Sequence, residues 1–370
     1  MRLRHAAKLR DRLNRKLAET IFLAAQRDLV TGELDRPRAV PILANVIAVA
    51  VLASPVLIFA LGATILWLGW PGLGTILIGG TLMALGVALR PRRRRIDGRI
   101  HRRADLPRTF ALFDAVAARL GTDAPTGLVL NHDFNAAFTQ TGAERVVVIG
   151  AILWRAAPPD ERIALLSHEL AHQLNRDPAR SGLTSRALEV LAGWVWYLEP
   201  DADEVLVELL MYIPFLIASG TFGLLLRLVF AESQRAEYLA DAIGARVSGS
   251  TPAKRLLERV SFSERIDAEI LGLYPRTAAG GLAMIDRLAN AVVDVPEDTR
   301  AEITARMRDQ TWSVDATHPP TAYRIAFLDL LPETADPLAL SPDDMAAVDD
   351  ELAPHFATLG DRLRNQLIDD

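Results

Sequence analysis

A run of 48 residues without a charged side chain, residues 42–89, constrains the fold of this 370-residue chain more than any other feature. Residues 67–72 interrupt the run near its middle and leave an apolar segment on either side. Each segment is close to the roughly 20 residues that a helix needs to cross the hydrocarbon core of a bilayer. Trp67 and Trp70 suit a membrane interface. We therefore predict a transmembrane hairpin over residues 41–90.

A buried hairpin of a soluble protein and a cleaved signal peptide are the alternatives for this run. Hydrophobic residues make up 50% of the chain although 24% of its residues are charged, so the apolar residues must be segregated. A signal peptide fits less well, because about forty mostly polar residues precede the run. The membrane hairpin remains the favoured prediction.

Arginines lie on both sides of the hairpin. They are Arg2, Arg4, Arg10, Arg12 and Arg15 before it, and Arg90, Arg92, Arg93, Arg94 and Arg95 after it. The positive-inside rule then places both ends in the cytoplasm. A nucleic-acid patch is the alternative, but the net charge is −5, and a basic run directly after a span favours contact with anionic lipid. We expect a lipid bilayer as a partner and no nucleic acid.

The segment His168-Glu169-Leu170-Ala171-His172 is typical of a metal site on a helix. Apolar residues recur at helical spacing through residues 161–175, which predicts a helix there. Side chains four apart on a helix lie on one face, so His168 and His172 can present ring nitrogens to one Zn²⁺. Glu169 would then lie beside the zinc-bound water and could accept its proton. The alternative is a pair of core histidines bound to backbone groups.

A catalytic zinc site normally has three protein ligands and one open position. The chain has no cysteine, which excludes thiolate ligands, disulfides and iron–sulfur clusters. Glu237, in the helix-like stretch 231–241, is the best candidate for the third ligand. Asp241, one turn later, could accept a hydrogen bond from a ligand histidine and fix its tautomer. The alternative for Glu237 and Asp241 is a solvated acidic helix face.

Together these motifs resemble the HtpX/Ste24 group of membrane zinc metalloproteases. The similar blocks span roughly residues 105–328 and comprise Asn135 to Thr139, Gly142, Arg145 to Gly150, His168 to His172, Asn175, Asp177, Arg235 to Asp241, Thr317 to Pro320 and Arg324. The resemblance implies a zincin-like peptidase that holds one Zn²⁺ per chain. It assigns His168, His172 and Glu237 as zinc ligands, Glu169 as general base and Asp241 as support for a ligand.

A second hydrophobic region, residues 183–230, separates the predicted ligands His172 and Glu237. Residues 209–226 carry no charge, whereas the preceding apolar segment, residues 190–198, is short. Both ligands must emerge on one side of the bilayer to reach the same ion, so both segments cross or neither does. The acidic link 199–204 lacks Lys and Arg, which suits an outside loop. We favour two crossings, with a re-entrant or surface-lying hairpin as the alternative.

The strand-like segment 145–150 predicts an edge strand beside the zinc site. As an edge strand it could bind an extended peptide by β-augmentation, largely independently of side chains. Asn135 and Phe138 resemble the family's motif at the start of this segment, and we therefore predict Asn135, Phe138 and Val147 as substrate-binding residues. The alternative is a turn followed by a core strand.

His318 precedes Pro319 and Pro320, which predicts a rigid turn or a helix start. It could donate a hydrogen bond to the oxyanion of the tetrahedral intermediate, with Arg324 orienting His318 or the substrate. The alternative is that both residues tie a C-terminal helix to the domain.

The predicted fold class is a mostly α-helical membrane protein, with up to four transmembrane helices in two hydrophobic hairpins. A cytosolic α+β domain contains a small antiparallel sheet. The predicted segments are an N-terminal arm (1–40), a transmembrane hairpin (41–90), two halves of the zinc domain (91–182 and 231–330) around the second hairpin (183–230), and an acidic tail (331–370).

The predicted activity is zinc-dependent cleavage of peptide bonds in polypeptide substrates, above all in misfolded or damaged membrane proteins. Arginine outnumbers lysine 38 to 3, which suggests a G+C-rich bacterial genome and hence a bacterial inner membrane. The alternatives are a processing protease for prenylated proteins, as in the Ste24 branch, and a catalytically silent membrane scaffold. The oligomeric state does not follow from the sequence.

Overall fold

The computed structural model describes residues 2–34, 42–91, 98–141, 144–175, 182–199, 205–273, 280–309 and 318–369. Several predicted features lie outside these residues. They are Arg92 to Arg95, Gly142, Asp177, Thr317 and most of the acidic link, residues 200–204.

The described residues are mostly helical, with one small sheet, as predicted. In chain order the elements are α1 (Arg2–Thr31), α2 (Ile42–Leu68), α3 (Leu73–Ala88), β1 (Ile100–His101), α4 (Pro107–Leu120), β2 (Gly127–Asn131), β3 (Ala136–Thr141), β4 (Glu144–Gly150), α5 (Ala151–Ala156), α6 (Pro159–Asn175), α7 (Gly182–Leu198), α8 (Val205–Ser248), α9 (Ser250–Val260), α10 (Glu264–Leu273), α11 (Gly281–Val293), α12 (Glu297–Asp309), α13 (Thr321–Leu328) and α14 (Pro342–Asp369).

The chain divides into two compact units. The sheet unit comprises Met1–Arg36, Asp97–Arg176 and Gln234–Asp370, and the apolar unit comprises Pro37–Ile96 and Asp177–Ser233. The boundary at Gln234 lies inside α8, so this long helix contributes residues to both units.

Close helix packing through glycine organises the predicted hairpin of the apolar unit. A Cβ atom at Gly62 would lie 2.6 Å from the carbonyl oxygen of Gly79, and one at Gly86 would lie 2.6 Å from that of Pro55. Small residues allow helix backbones to approach this closely, as they do between membrane helices. Further along α2, Ala44 and Ala48 are buried in a cluster with residues of α7 and α8.

Two described helices are long and apolar enough to cross a membrane, namely Ile42–Leu68 and the Met211–Ser248 part of α8. Only 22% and 17% of their most apolar windows are buried in the protein. An apolar helix that the protein leaves uncovered is not the core helix of a soluble domain. The apolar helix α3 spans 16 residues and is shorter than a normal crossing.

The sheet has the strand order β1-β2-β4-β3 and is mixed. β1 is antiparallel to β2 and β3 is antiparallel to β4, but β2 and β4 are parallel. The prediction of an antiparallel sheet is therefore wrong for the central pair.

The prediction that residues 145–150 form an edge strand is also wrong. β4 lies between β2 and β3, and Val146, Val147 and Ile149 are completely buried. A continuous apolar run of this kind is typical of an interior strand covered on both faces. The edge strands are β1 and β3, and β3 is the edge that follows Asn135.

The core of the sheet unit lies between the sheet and helices α4, α5, α6, α11 and α14. Asp349 of α14 accepts hydrogen bonds from the indole of Trp154 at 3.0 Å and from the guanidinium of Arg162 at 2.8 Å. Met345, Val348, Leu352 and Phe356 of α14 are buried in this core. The segment predicted as an acidic tail thus carries a helix that joins this core and binds α5 and α6 through Asp349.

The contact between α11 and α14 gives a test of this packing. Gly360 lies against Gly281, and a Cβ atom at position 360 would overlap the carbonyl oxygen of Gly281. Gly360→Ala should destabilise the protein by about 1–3 kcal/mol, because the two backbones would have to separate. Thermal unfolding in detergent measures the effect.

Gly272→Ala is the matched control, since this helical glycine has no described atom within 4 Å of its Cβ position. It should leave the midpoint unchanged or raise it slightly, because alanine is the better helix former. Equal midpoints for the two variants would contradict the packing of α11 on α14.

Candidate metal centre

Helix α6 presents the three residues of the histidine motif. Asp160 and Glu161 occupy its first turn, where acidic side chains interact favourably with the positive end of the helix dipole. Ile163, Leu166 and Leu170 of α6 are buried in the core and fix its rotation. The rings of His168 and His172 are brought together with a centroid separation of 4.8 Å.

Helix α8 supplies the second part of the site. The side chains of Glu237 and Asp241 are only 1% and 4% exposed. Gly244, less than one turn beyond Asp241, allows α8 to approach α6, because a Cβ there would lie 3.2 Å from the backbone nitrogen of His168. This close approach brings the two carboxylates beside the two histidines.

The ligand atoms of His168, His172 and Glu237 all lie within 4.8 Å of one another. His168 Nε2 is 3.2 Å from His172 Nε2 and 3.6 Å from Glu237 Oε2, and His172 Nε2 is 3.4 Å from Glu237 Oε1. In a tetrahedral zinc site with bonds of about 2.0–2.1 Å, two ligand atoms are roughly 3.3 Å apart. The donor set therefore fits a zinc ion.

Asp241 holds the ring of His168. Its Oδ1 atom lies 3.0 Å from His168 Nδ1, which places the ring proton on Nδ1 and leaves Nε2 to face His172 and Glu237. Arg324 donates two hydrogen bonds to Asp241, at 2.6 Å and 2.8 Å. The sequence predicted a contact between Asp241 and a ligand histidine but not this pairing with Arg324.

The pKa shifts show that the site favours positive charge. Burial and Arg324 lower the pKa of His168, but hydrogen bonding to Asp241 and Glu237 outweighs them and raises it from 6.5 to about 9. Burial likewise lowers the pKa of Arg324, while Asp241 and then Glu237 raise it above its ordinary value. Such an excess of buried negative charge suits a divalent cation.

Glu169 is buried and contacts the edge of the sheet. The backbone N–H of Phe138 on β3 donates to Glu169 Oε2 at 3.0 Å. The edge strand and the acidic residue next to the histidines are thus adjacent. This is the geometry that a peptide bound along β3 would need to reach the site.

His318 lies at the solvent side of the cluster, with its side chain 41% exposed and its Nε2 atom 3.7 Å from Glu237 Oε1. The side chain of Gln234 donates to the backbone carbonyl of His318 at 3.3 Å. Sequence reasoning missed Gln234, although it lies three residues before Glu237 in the same predicted helix.

The residues predicted to bind substrate are placed differently from one another. Asn135 is exposed, precedes β3, and accepts the backbone N–H of Ala136 at 2.8 Å. Phe138 is half-buried on the edge strand. Val147 is completely buried on the interior strand β4, so the structure contradicts its assignment to a peptide-binding surface.

The profile of peptidase family M48 matches residues 107–331, which include every residue of this cluster, and the chain belongs to that family. It is a metallopeptidase, a hydrolase of peptide bonds. The resemblance predicted from the motifs is confirmed.

Among curated relatives, the chain is 29% identical over 237 residues to a protease HtpX homolog from Gemmatimonas aurantiaca, covering 61% of this chain and 76% of that one. It is 28% identical over 241 residues to a protease HtpX homolog from Pyrobaculum islandicum, with 61% and 68% coverage. A protease HtpX homolog from Salinibacter ruber is 28% identical over 244 residues, with 61% and 75% coverage. No solved structure matches the chain significantly.

The contacts of Asp241 predict the effect of Asp241→Asn on metal affinity. The change removes the negative charge between His168 and Arg324, and the NH2 group that replaces one carboxylate oxygen cannot accept a hydrogen bond from either of them. Loss of such a supporting partner weakens metal binding by about 10- to 100-fold. Competition of the purified protein with a zinc chelator measures this change.

Glu232→Gln is the control, because it lies nine residues earlier and so on the opposite side of the same helix. It should leave zinc affinity unchanged. Equal zinc affinities for the two variants would contradict a role for Asp241 in the centre.

Proposed function

We propose that this protein is an integral-membrane zinc endopeptidase in which His168, His172 and Glu237 hold one Zn²⁺. The observation that carries the proposal is the convergence of these three donors at distances suited to tetrahedral zinc. Zinc, when bound, would polarise the scissile carbonyl and acidify a water molecule.

Glu169 is the general base in this proposal. Its carboxylate accepts a proton from the attacking water and later donates it to the leaving amine. The hydrogen bond from the Phe138 amide holds the carboxylate at the edge of the sheet before substrate arrives. Asn135 and Phe138 then flank the path of an extended peptide along β3, which has no strand paired to its outer side among the described residues.

His318 donates a hydrogen bond to the negative charge that develops on the carbonyl oxygen. Its half-exposed position at the rim of the cluster supports this role. The sequence predicted that Arg324 orients His318 or the substrate, but its two hydrogen bonds to Asp241 support a different role. Arg324 fixes the carboxylate that orients His168.

The two apolar helices support an anchor in a membrane, and the names of the relatives support a protease of the HtpX type. We propose that the catalytic residues face the cytoplasm of a bacterial cell and that α2 and α3 cross the inner membrane as a pair. Arginines before and after this pair support the orientation. For His172 and Glu237 to share one ion, α7 and the apolar part of α8 must cross as a pair or not at all.

The proposed substrates are misfolded or damaged membrane proteins. Backbone pairing along an edge strand selects an extended segment more than it selects particular side chains. A peptidase that is itself in the bilayer would meet such segments in unfolded membrane proteins.

Glu169→Gln tests the mechanism. The variant should retain zinc, because Glu169 is not among the three converging donors. Removal of the base should lower kcat for an unfolded polypeptide by at least about 10²-fold. Release of new amino termini from casein by detergent-purified protein measures the activity.

Glu302→Gln, at an exposed position of α12, is the matched control and should cleave at the wild-type rate. Cleavage by Glu169→Gln at the rate of this control would reject the proposed mechanism.

The absence of cysteine from the chain allows a direct test of topology with single-cysteine variants. In intact spheroplasts, a membrane-impermeant maleimide should label Trp70→Cys, in the turn between α2 and α3. It should label Asp343→Cys, in the exposed first turn of α14, only after permeabilisation. Labelling of Asp343→Cys in sealed spheroplasts would contradict a cytoplasmic catalytic unit.

A further inference from the structure

The N-terminal helix α1 packs behind the candidate metal centre. Within its described side chains, Ala18, Ile21, Ala25 and Asp28 are buried and recur at helical spacing, whereas Leu23 and Val30 are exposed. A buried charged residue on such a face requires a partner inside the protein. Residues 15–34 are the part of the predicted N-terminal arm whose side chains are described, and 'the arm' means this part from here on.

Arg235 of α8 is the partner of the arm. Its Nε atom donates to Asp28 Oδ2 at 3.2 Å, and the side chains of Arg235 and Asp28 are only 9% and 1% exposed. The same guanidinium donates to the backbone carbonyls of Glu33 at 3.0 Å and Leu34 at 2.6 Å. Arg235 thus binds the carboxylate of Asp28 and the carbonyls of two consecutive residues, Glu33 and Leu34.

A turn at the end of α1 forms this receptor for the guanidinium. Gly32 adopts a φ of 69°, and the backbone N–H groups of Glu33 and Leu34 both donate to the carbonyl of Asp28. The turn brings the Glu33 and Leu34 carbonyls to the carboxyl end of α1, where the helix dipole also favours a cation. The guanidinium of Arg235 is therefore held by three acceptors, the carboxylate of Asp28 and the carbonyls of Glu33 and Leu34.

Aromatic packing forms a second contact of the arm. Phe22 stacks on Tyr323 with ring centroids 4.9 Å apart and contacts Tyr238 at 6.2 Å. Tyr238 also packs against Phe327 of α13 at 5.0 Å. The arm is thus packed against both α8 and α13.

These contacts involve the immediate neighbours of the metal-site residues. Arg235 and Tyr238 lie on either side of Glu237 in α8, and Tyr323 directly precedes Arg324, which binds Asp241. Residues two apart on a helix point to nearly opposite sides. The arm therefore contacts α8 at Arg235, on the side of the helix opposite to Glu237, which faces the histidines. Movement of the arm would therefore change the positions of Glu237 and Arg324.

We propose that the arm is a positioning element of the metal centre and that Asp28 acts through Arg235 to hold Glu237 against the two histidines. The inference rests on the proposed zinc site. Asp28 is a positioning residue, since its contact with the centre is through Arg235. The alternative is that the arm only adds stability to the fold.

Asp28→Asn tests the inference, with Glu19→Gln as its matched control. Both changes remove one carboxylate from α1, but Asp28 is buried against Arg235 whereas Glu19 is exposed. Zinc affinity by chelator competition and the visible spectrum of the Co²⁺-substituted full-length protein are the readouts. We expect about tenfold weaker zinc binding and an altered Co²⁺ spectrum for Asp28→Asn, and no change for Glu19→Gln.

A double-mutant cycle with Arg235→Lys shows whether Asp28 acts through Arg235. If it does, the zinc affinity of the double variant should equal that of the single variant with the lower affinity, because the second change removes no further interaction. Losses of affinity that multiply would overturn this route. If Asp28→Asn does not fold, Phe22→Leu takes its place in the comparison with Glu19→Gln. Phe22→Leu removes the stacking on Tyr323 and keeps the charge pair.

A lower thermal midpoint for Asp28→Asn with wild-type zinc affinity and an unchanged Co²⁺ spectrum would overturn the inference and leave the arm a stabilising element. Failure of the wild-type protein to bind zinc would instead overturn the proposed function. The two failures are therefore distinguishable.

Discussion

Glu237 and Asp241 are two buried carboxylates one helical turn apart, and their burial requires partners from other segments of the chain. Burying ionised groups is unfavourable unless partners compensate for the lost hydration. The partners come from two other helices, His168 and His172 from α6 and Arg324 from α13. The folding of distant segments around α8 is thus coupled to the assembly of a site whose remaining negative charge a metal ion can neutralise.

The two carboxylates have different partners and therefore different roles. Asp241 makes a pair of hydrogen bonds with Arg324 and a third contact with the outer nitrogen of His168, so its oxygens are committed to orienting other groups. The carboxylate of Glu237 faces the Nε2 atoms of both histidines. One helix thereby provides a proposed zinc ligand and the support for a second proposed ligand, and the spacing of four residues keeps both on one face.

Much of the site could be predicted from the sequence because its spacing follows the α-helical period. If each stretch is helical, the spacing of four residues places His168 and His172 on one helix face, and it places Glu237 and Asp241 on one face of the other helix. The sheet was harder, because the run from Arg145 to Gly150 is compatible with an edge or an interior strand. Its strand order depends on pairing between β2 and β4, which local pattern does not encode. The edge position belongs to β3, a less apolar segment.

The contacts of Asp28 and Asp349 could not be predicted for a related reason. Each is an ordinary acidic residue in a helix, and its importance comes from a partner about 200 residues away, Arg235 at a separation of 207 and Arg162 at 187. The buried residues of α14 do recur at helical spacing, so its apolar face could have been found in the predicted acidic tail.

In the proposed function, α6 and α8 together hold one zinc ion. The most direct test is the zinc content of detergent-purified protein by mass spectrometry, in the wild type and in Glu237→Ala. We expect about one zinc per wild-type chain, with most of it lost from the variant, because a three-ligand site would be reduced to two histidines. A metal-free wild type prepared without chelators, or a variant that keeps its zinc with wild-type affinity, would rule out a zinc site shared by the two helices.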